Sequence, residues 1–241
     1  LPVDVITADV LPSFLKGDKI KLRDAMRRMM MCSTFLVFPL MVGVAACAKS
    51  ELRLLYGEQW VPAAPYMMLA CFTFALWPFH TINLKGIQAL GRSDIFLKLE
   101  IVKKLIGLVT LFICIPRGVL VYMAADAVIC GPLSVVVNAW PNRKLLKYTL
   151  GMQVRDVLPT MLVTISAAVP AFIAGTAIPR GSILLLVLGI VVQCGAFGVF
   201  YLVLSCVFKL RPMKELYRIV PGGWWARLPK LKRILDEQYD K

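Results

Sequence analysis

The sequence predicts an all-α fold, a polytopic transmembrane helical bundle of about six membrane-spanning helices, and three observations carry that reading. Of the 241 residues, 59 % are hydrophobic and 17 % charged, and the mean hydropathy is +0.74; an ordinary soluble domain is roughly 45–50 % apolar. The apolar residues gather into runs of about 17–25 residues, the length a helix needs to cross a bilayer. These runs cover residues 29–48, 62–84, 95–115, 118–138, 157–178 and 182–208. Between them the basic residues alternate: 22 fall in segments that share one side of the membrane and 4 on the other, the remaining two being Lys103 and Lys104.

Lys and Arg concentrate in cytoplasmic loops, so both ends of the chain are expected in the cytoplasm. The same bias accounts for the net charge of +14. Anionic lipids of the inner leaflet attract such clusters at about 1 kcal/mol per residue. Nucleic acid, the partner this charge would imply in a soluble protein, is not expected. The chain divides into residues 1–28, 29–208 and 209–241. It opens at Leu1, and residues 1–15 read as the tail of an earlier helix or a re-entrant segment of a longer protein. Residues 16–28 form a basic helix, with Asp18 as N-cap after Gly17, that runs straight into the first span.

Pro39, Pro78, Pro132 and Pro170 each fall inside a span. A proline in a membrane helix bends it and frees a carbonyl that a neighbour must satisfy; such bends are ordinary kinks or, in transporters, gating points around a cavity. Gly57 suits the C-cap of the first span, and Tyr56 with Trp60 form an interfacial aromatic pair. In the second span, His80 reads as an interhelical hydrogen-bonder, with proton carriage as the alternative.

The third span is the one whose composition demands an explanation, because Lys98, Glu100, Lys103 and Lys104 lie in its first half. An ionisable group at membrane depth costs about 2.5 kcal/mol or more, so it faces a bundle interior or a watery cavity, or snorkels to the interface. Glu100 can pair with Lys104 at i, i+4 or Lys103 at i, i+3, leaving one cation in excess. Lys98, Lys103 and Lys104 are therefore candidates to line a cavity for an anionic passenger.

Asp126, in the middle of the fourth span, is expected to be protonated, paired with Lys103 or Lys104, or used for ion coupling, with pairing favoured. Glu100, Asp126 and His80 are thus the ion-coupling or pairing candidates. Ala167, Ala171 and Gly175 give the fifth span a small-residue stripe for close helix packing. The sixth span, with Gln193 and small hydroxyls as its polar groups, reads as peripheral and tilted. Trp224, Trp225, Leu228, Leu231 and Leu235 recur at helical spacing among basic residues in the tail, as in an interfacial amphipathic helix or a partner-binding one. Seven cysteines without C-x-x-C spacing read as small buried hydrophobes, and a single histidine gives no metal site. No cofactor or metal is expected.

The order of these pieces resembles a known family. Leu11-Pro12-Ser13-Phe14, the basic amphipathic stretch, FPLMVG at residues 38–43, LLYGEQW at residues 54–60 followed by Pro62 and Pro65, and ALGRSD at residues 89–94 entering a helix are similar to the C-terminal half of bacterial polysaccharide flippases. These are the O-antigen, capsule and exopolysaccharide exporters of the multidrug/oligosaccharidyl-lipid/polysaccharide superfamily. The resemblance implies two six-helix bundles that rock around a central cavity, of which this chain would supply the second. An N-terminal half and polysaccharide polymerase machinery would then be partners, alongside membrane lipids. It also implies a passenger, an undecaprenyl-pyrophosphate-linked oligosaccharide, and a place in the bacterial inner membrane.

A pyrophosphate crossing a low-dielectric region needs compensating charge from the wall, which Lys103 and Lys104 would provide; Asp126 departs from the pattern and could serve H⁺ or Na⁺ coupling. The expected function is lipid-linked oligosaccharide flipping by alternating access, without covalent chemistry and so without enzyme activity. The alternatives are a drug or cation antiporter of the same superfamily, which would want an acidic cavity, and a membrane-embedded glycosyltransferase or polymerase. The latter needs a polar cluster in an external loop, where Glu51 and Glu58 are the only acids.

Overall fold

The computed structural model describes residues 19–176 and 182–213. The Asp18 cap, the segment at residues 1–15, the turn at Arg180 and the tail around Trp224 lie outside the described residues. Among the described residues there are helices and turns and no strand. Five helical stretches are long and apolar enough to cross a membrane: Lys19–Tyr56, Glu58–Ala89, Val119–Leu145, Leu150–Ile173 and Ile183–Val207. The third span of the sequence reading is also a continuous helix of 22 residues, about 33 Å at 1.5 Å per residue. That length suffices for a hydrocarbon core of about 30 Å; its five charges set it apart from the others.

The long helix α1 (Lys19–Tyr56) carries the basic segment into the first span without a break, as expected. Its 38 residues reach about 57 Å, well beyond the hydrocarbon core. It ends where Gly57 takes φ 91° and donates its N–H to the Arg53 carbonyl at 3.1 Å, a conformation that glycine adopts without steric penalty. The Tyr56 and Trp60 rings meet at 6.0 Å across that turn. Pro39 removes the N–H that would have bonded the carbonyl of Phe35, and the hydroxyl of Tyr201 donates to that carbonyl at 2.8 Å.

After a 3₁₀ turn (Glu58–Ala63) come α2 (Ala64–Ala75) and α3 (Trp77–Ala89), one span broken at Leu76 where Pro78 enters. Helix α4 (Ser93–Cys114) and a short turn (Ile115–Arg117) lead to α5 (Val119–Ala125), a π-helical turn (Asp126–Cys130) and α6 (Gly131–Leu145). Helices α7 (Leu150–Thr176) and α8 (Ile183–Val207) complete the described chain.

Helix α1 packs against α2, α3, α7 and α8. One core joins Leu22, Met26 and Met29 of α1 to Ile82 of α3, Val135 of α6 and Val157 of α7. The other joins Phe35 to Val163, Ala167 and Ala171 of α7 and Phe197 and Tyr201 of α8. Ala167 and Ala171 are buried as the small-residue stripe requires; the Gly175 side of it lies outside the described burial. Helix α8 lies at the edge of the bundle, as a peripheral span does, with one face seated against α1 and α7. Leu186, Gln193, Phe197, Tyr201 and Ser205 recur down one buried face, and Gln193 donates to the Ala46 carbonyl at 3.3 Å. Tyr201 is the polar group the sequence reading did not weigh. All seven cysteines are free thiols, but Cys194 is exposed, its Sγ 3.7 Å from that of buried Cys47.

The described ends of the basic segments meet at one end of the bundle, where Leu22, Ala89, Leu145 and Leu150 share a core. There Arg27 of α1 donates twice to Asp156 of α7, Nε to Oδ2 at 2.8 Å and Nη2 to Oδ1 at 2.6 Å, while the Asp156 side chain is only 6 % exposed. The Tyr148 hydroxyl donates to the same carboxylate at 3.4 Å. Burial, with the Asp156 charge in support, pushes that hydroxyl well above its ordinary pKa, so it remains a neutral donor.

Two outcomes follow from these contacts. Tyr201→Phe strips the Phe35 carbonyl of its partner and lowers stability by about 1 kcal/mol, read as a lower thermal unfolding midpoint in detergent. Arg27→Ala leaves a buried carboxylate uncompensated and costs about 3 kcal/mol; combined with Asp156→Leu it recovers most of that loss in the same measurement.

Candidate functional site

The two broken spans break at the same level. In the first, Leu76 closes α2 with 3₁₀-type bonds: its N–H donates to Thr73 O and its carbonyl accepts from Phe79, both at 3.1 Å. In the second, the π-turn that begins at Asp126 inserts an extra residue before Gly131. A Cβ on Gly131 would stand 3.2 Å from Leu76 Cδ1, so a bare glycine is what lets the two breaks touch. Discontinuous helices at membrane depth line cavities or lie buried in protein, and π-turns mark functional positions often enough to direct attention here.

One turn along from the breaks, the α3–α6 seam is polar. His80 and Asn83 of α3 stand at i, i+3; Asn138 and Asn142 of α6 at i, i+4. Asn138 Nδ2 donates to His80 Nδ1 at 3.1 Å, which makes Nδ1 the acceptor and places the neutral ring's proton on Nε2. Asn142 Nδ2 donates to the side chain and the backbone carbonyl of Asn83 at 2.8 and 3.0 Å. Gln153, at the start of α7, exchanges amide bonds with Asn83 at 2.8 and 2.9 Å. All four amides are fully buried. Asn138 Oδ1 and Asn142 Oδ1 nonetheless accept no hydrogen bond. A buried network with open acceptors is energetically exposed; it gains when a donor arrives.

Helix α4 adds the charges. Lys103 donates to Glu100, with the lysine side chain 15 % exposed and the carboxylate 31 %, and both charges act electrostatically on His80. The third span therefore turns Lys103 and Glu100 toward the seam, while Lys98 and Lys104 are exposed on its outer face. The pairing settles on the i, i+3 partner rather than Lys104. Asp126 forms no ion pair with a described residue. The expected bond to Lys103 or Lys104 is replaced by the local Lys103–Glu100 pair, and Asp126 sits half-buried at the head of the π-turn, within electrostatic reach of Tyr122. His80 is the interhelical hydrogen-bonder that its setting predicts.

Sequence reasoning overlooked Asn83, Asn138, Asn142 and Gln153. Asn138 closed one apolar run and Asn83 stood one residue from the end of another, so they registered as boundaries. The usable signal was their helical spacing: two polar residues three or four apart, on both the second and the fourth span.

Residues 4–65 match the family described as Polysaccharide biosynthesis protein. The chain is 21 % identical over 170 residues to the teichuronic acid biosynthesis protein TuaB of Bacillus subtilis (strain 168), a match covering 70 % of this chain and 35 % of that protein. It is 22 % identical over 220 residues to an uncharacterized membrane protein in the cps region of Klebsiella pneumoniae, covering 89 % of this chain and 44 % of the relative. The chain thus spans less than half the length of these relatives. No solved structure matches it significantly. These likenesses agree with the resemblance to a polysaccharide-biosynthesis, flippase-type family drawn from the sequence motifs.

The network makes a direct demand on stability. Asn83→Ala removes the hub that bonds both Asn142 and Gln153 and lowers stability by about 2 kcal/mol, whereas Lys98→Ala, on the exposed face, leaves it unchanged. Thermal unfolding of the purified protein in detergent measures both.

Proposed function

We propose that this multi-pass membrane protein acts in polysaccharide biosynthesis by moving a lipid-linked oligosaccharide across the membrane, the passenger's pyrophosphate being met by Lys103. The likeness to polysaccharide-biosynthesis proteins supports a role in polysaccharide synthesis or export. The observation that carries the finer reading is the Lys103–Glu100 pair, turned toward a polar seam rather than toward lipid.

The chemistry runs through exchange of partners. At rest Lys103 is neutralised by Glu100, so the helix carries no net buried charge at that level, which keeps the empty state affordable in a low dielectric. A phosphate oxygen of the passenger competes for the ammonium. When Lys103 turns to it, Glu100 is left without that counter-charge, so the pair acts as a contact that the passenger opens. The imidazole of His80, held at Nδ1 by Asn138, offers its Nε2–H to a second oxygen.

The open acceptors on Asn138 and Asn142 take hydroxyl donors from a sugar. Breaks at Leu76 and Asp126 are where such a path bends. The basic end of the bundle faces the cytoplasm of a bacterial inner membrane, and the first bundle is supplied by the remainder of the transporter. A cation or drug antiporter fits less well, because Lys103 already occupies the Glu100 carboxylate.

Lys103→Ala, in the protein as its host makes it, lowers polysaccharide export on the order of tenfold, the loss of one charge-assisted contact. The amount of protein in the membrane stays the same, and Lys104→Ala has a far smaller effect. Export by Lys103→Ala at the unaltered level would remove this reading.

A further inference from the structure

A cleft of about 910 Å³ opens at the basic end of the bundle, between α1, α7 and the end of α8. It shares no residue with the α3–α6 seam or with the Lys103–Glu100 pair, and its use does not rest on the transport reading. Its chemistry is divided. Arg155 of α7, with Lys209 and Arg211 just past α8, brings three exposed cations to its rim. None of the three makes an ion pair with a described residue. The single acid in the lining, Asp156, is already held by both nitrogens of Arg27, so it neutralises none of them. The other wall is apolar: Leu158 and Leu162, one helical turn apart on α7 and both exposed, line the cleft opposite Phe208. These leucines belong to a membrane-crossing helix, so the apolar side of the cleft opens onto the bilayer.

The backbone holds one rim cation in an uncommon conformation. Lys209 has φ 48°, a region that non-glycine side chains seldom adopt. It sits at the position after the last turn of α8 where a glycine is usual. The Lys209 N–H donates to Cys206 O and the Leu210 N–H to Ser205 O, both at 3.1 Å, the paired bonds of a Schellman cap. Leu210 then packs into the second core, which fixes the turn. A glycine would fit this turn with less strain; the lysine adds an ammonium at the mouth of the cleft.

We infer that this cleft binds an anionic phospholipid, its phosphate held by Arg155, Lys209 and Arg211 and an acyl chain laid along Leu158 and Leu162. Charge complementarity selects the anion, and the apolar wall that meets the bilayer selects a lipid over a soluble phosphate. A zwitterionic headgroup brings its own ammonium into a rim that is already cationic.

The test uses purified protein in a neutral detergent, with short-chain phosphatidylglycerol, phosphatidylcholine of the same chain length and inorganic phosphate as probes. Binding is read from the concentration of each probe that shifts the thermal unfolding midpoint. Phosphatidylglycerol is expected to shift it at low concentration, and the other two are not. Each cation removed weakens phosphatidylglycerol binding about fivefold, and added salt weakens it in the intact protein.

Lys209→Gly is the decisive variant, because it keeps or improves the fit of the turn while deleting the charge. Its unfolding midpoint without lipid is expected to stand at or above that of the unaltered protein, with weakened phosphatidylglycerol binding. Arg155→Gln with Arg211→Gln weakens binding further. Equal response to phosphatidylcholine, equal response to inorganic phosphate, or undiminished binding by Lys209→Gly and by the arginine double variant would each overturn the inference.

Discussion

Hydrocarbon offers no hydrogen bonds, so each backbone group that a proline releases has to be answered from within the protein. That constraint organises this bundle. Pro39 stands in the middle of α1, the helix against which four others pack, and the carbonyl it releases at Phe35 is met by the Tyr201 hydroxyl of α8. The bond dictates that α8 lie against α1 with a fixed rotation. The same rotation buries Phe197 and Ser205 and brings Gln193 to the Ala46 carbonyl. Helix α7 is held between them by the second core and, at the basic end, by the two bonds from Arg27 to Asp156.

The other half of the described chain is held differently. Its helices are interrupted at Leu76 and at the π-turn, and they meet through amides rather than through a charged clamp and a capped carbonyl. Interhelical polar contacts of this kind are worth about 0.6 kcal/mol on average in a membrane. Two of the amide oxygens are left open. The polar seam therefore combines specific geometry with a modest penalty for rearrangement, and Lys103 and Glu100 add a pair of opposite charges beside it.

The spans were legible in the sequence because the bilayer enforces them: an apolar run of the right length has few other fates. The unbroken entry of α1 and the turn at Gly57 were legible for local reasons of helix continuation and capping. Partner choice was not. Asp126 was expected to meet Lys103 or Lys104, but the π-turn adds a residue, and helical counting on either side of it no longer agrees about which face a side chain occupies. Lys103 meanwhile has Glu100 one turn away in its own helix, where no tertiary arrangement is needed to bring them together.

The amides of the seam were hidden for another reason, since hydropathy treats a polar residue near the edge of an apolar run as its end. Tyr201 was hidden because its role exists only once α8 has docked. The Arg27–Asp156 clamp joins residues 129 apart and carries no local signature.

The Tyr201 bond has a mechanical meaning. Pulling α8 from α1 would leave a bare carbonyl in oil, whereas sliding α3 along α6 exchanges one amide partner for another. The α1–α7–α8 layer is thus joined by bonds that have no substitute nearby, and the α3–α6 seam by amides that have several. The proline at the centre of α1, the position most easily mistaken for a hinge, is pinned instead through the carbonyl it frees.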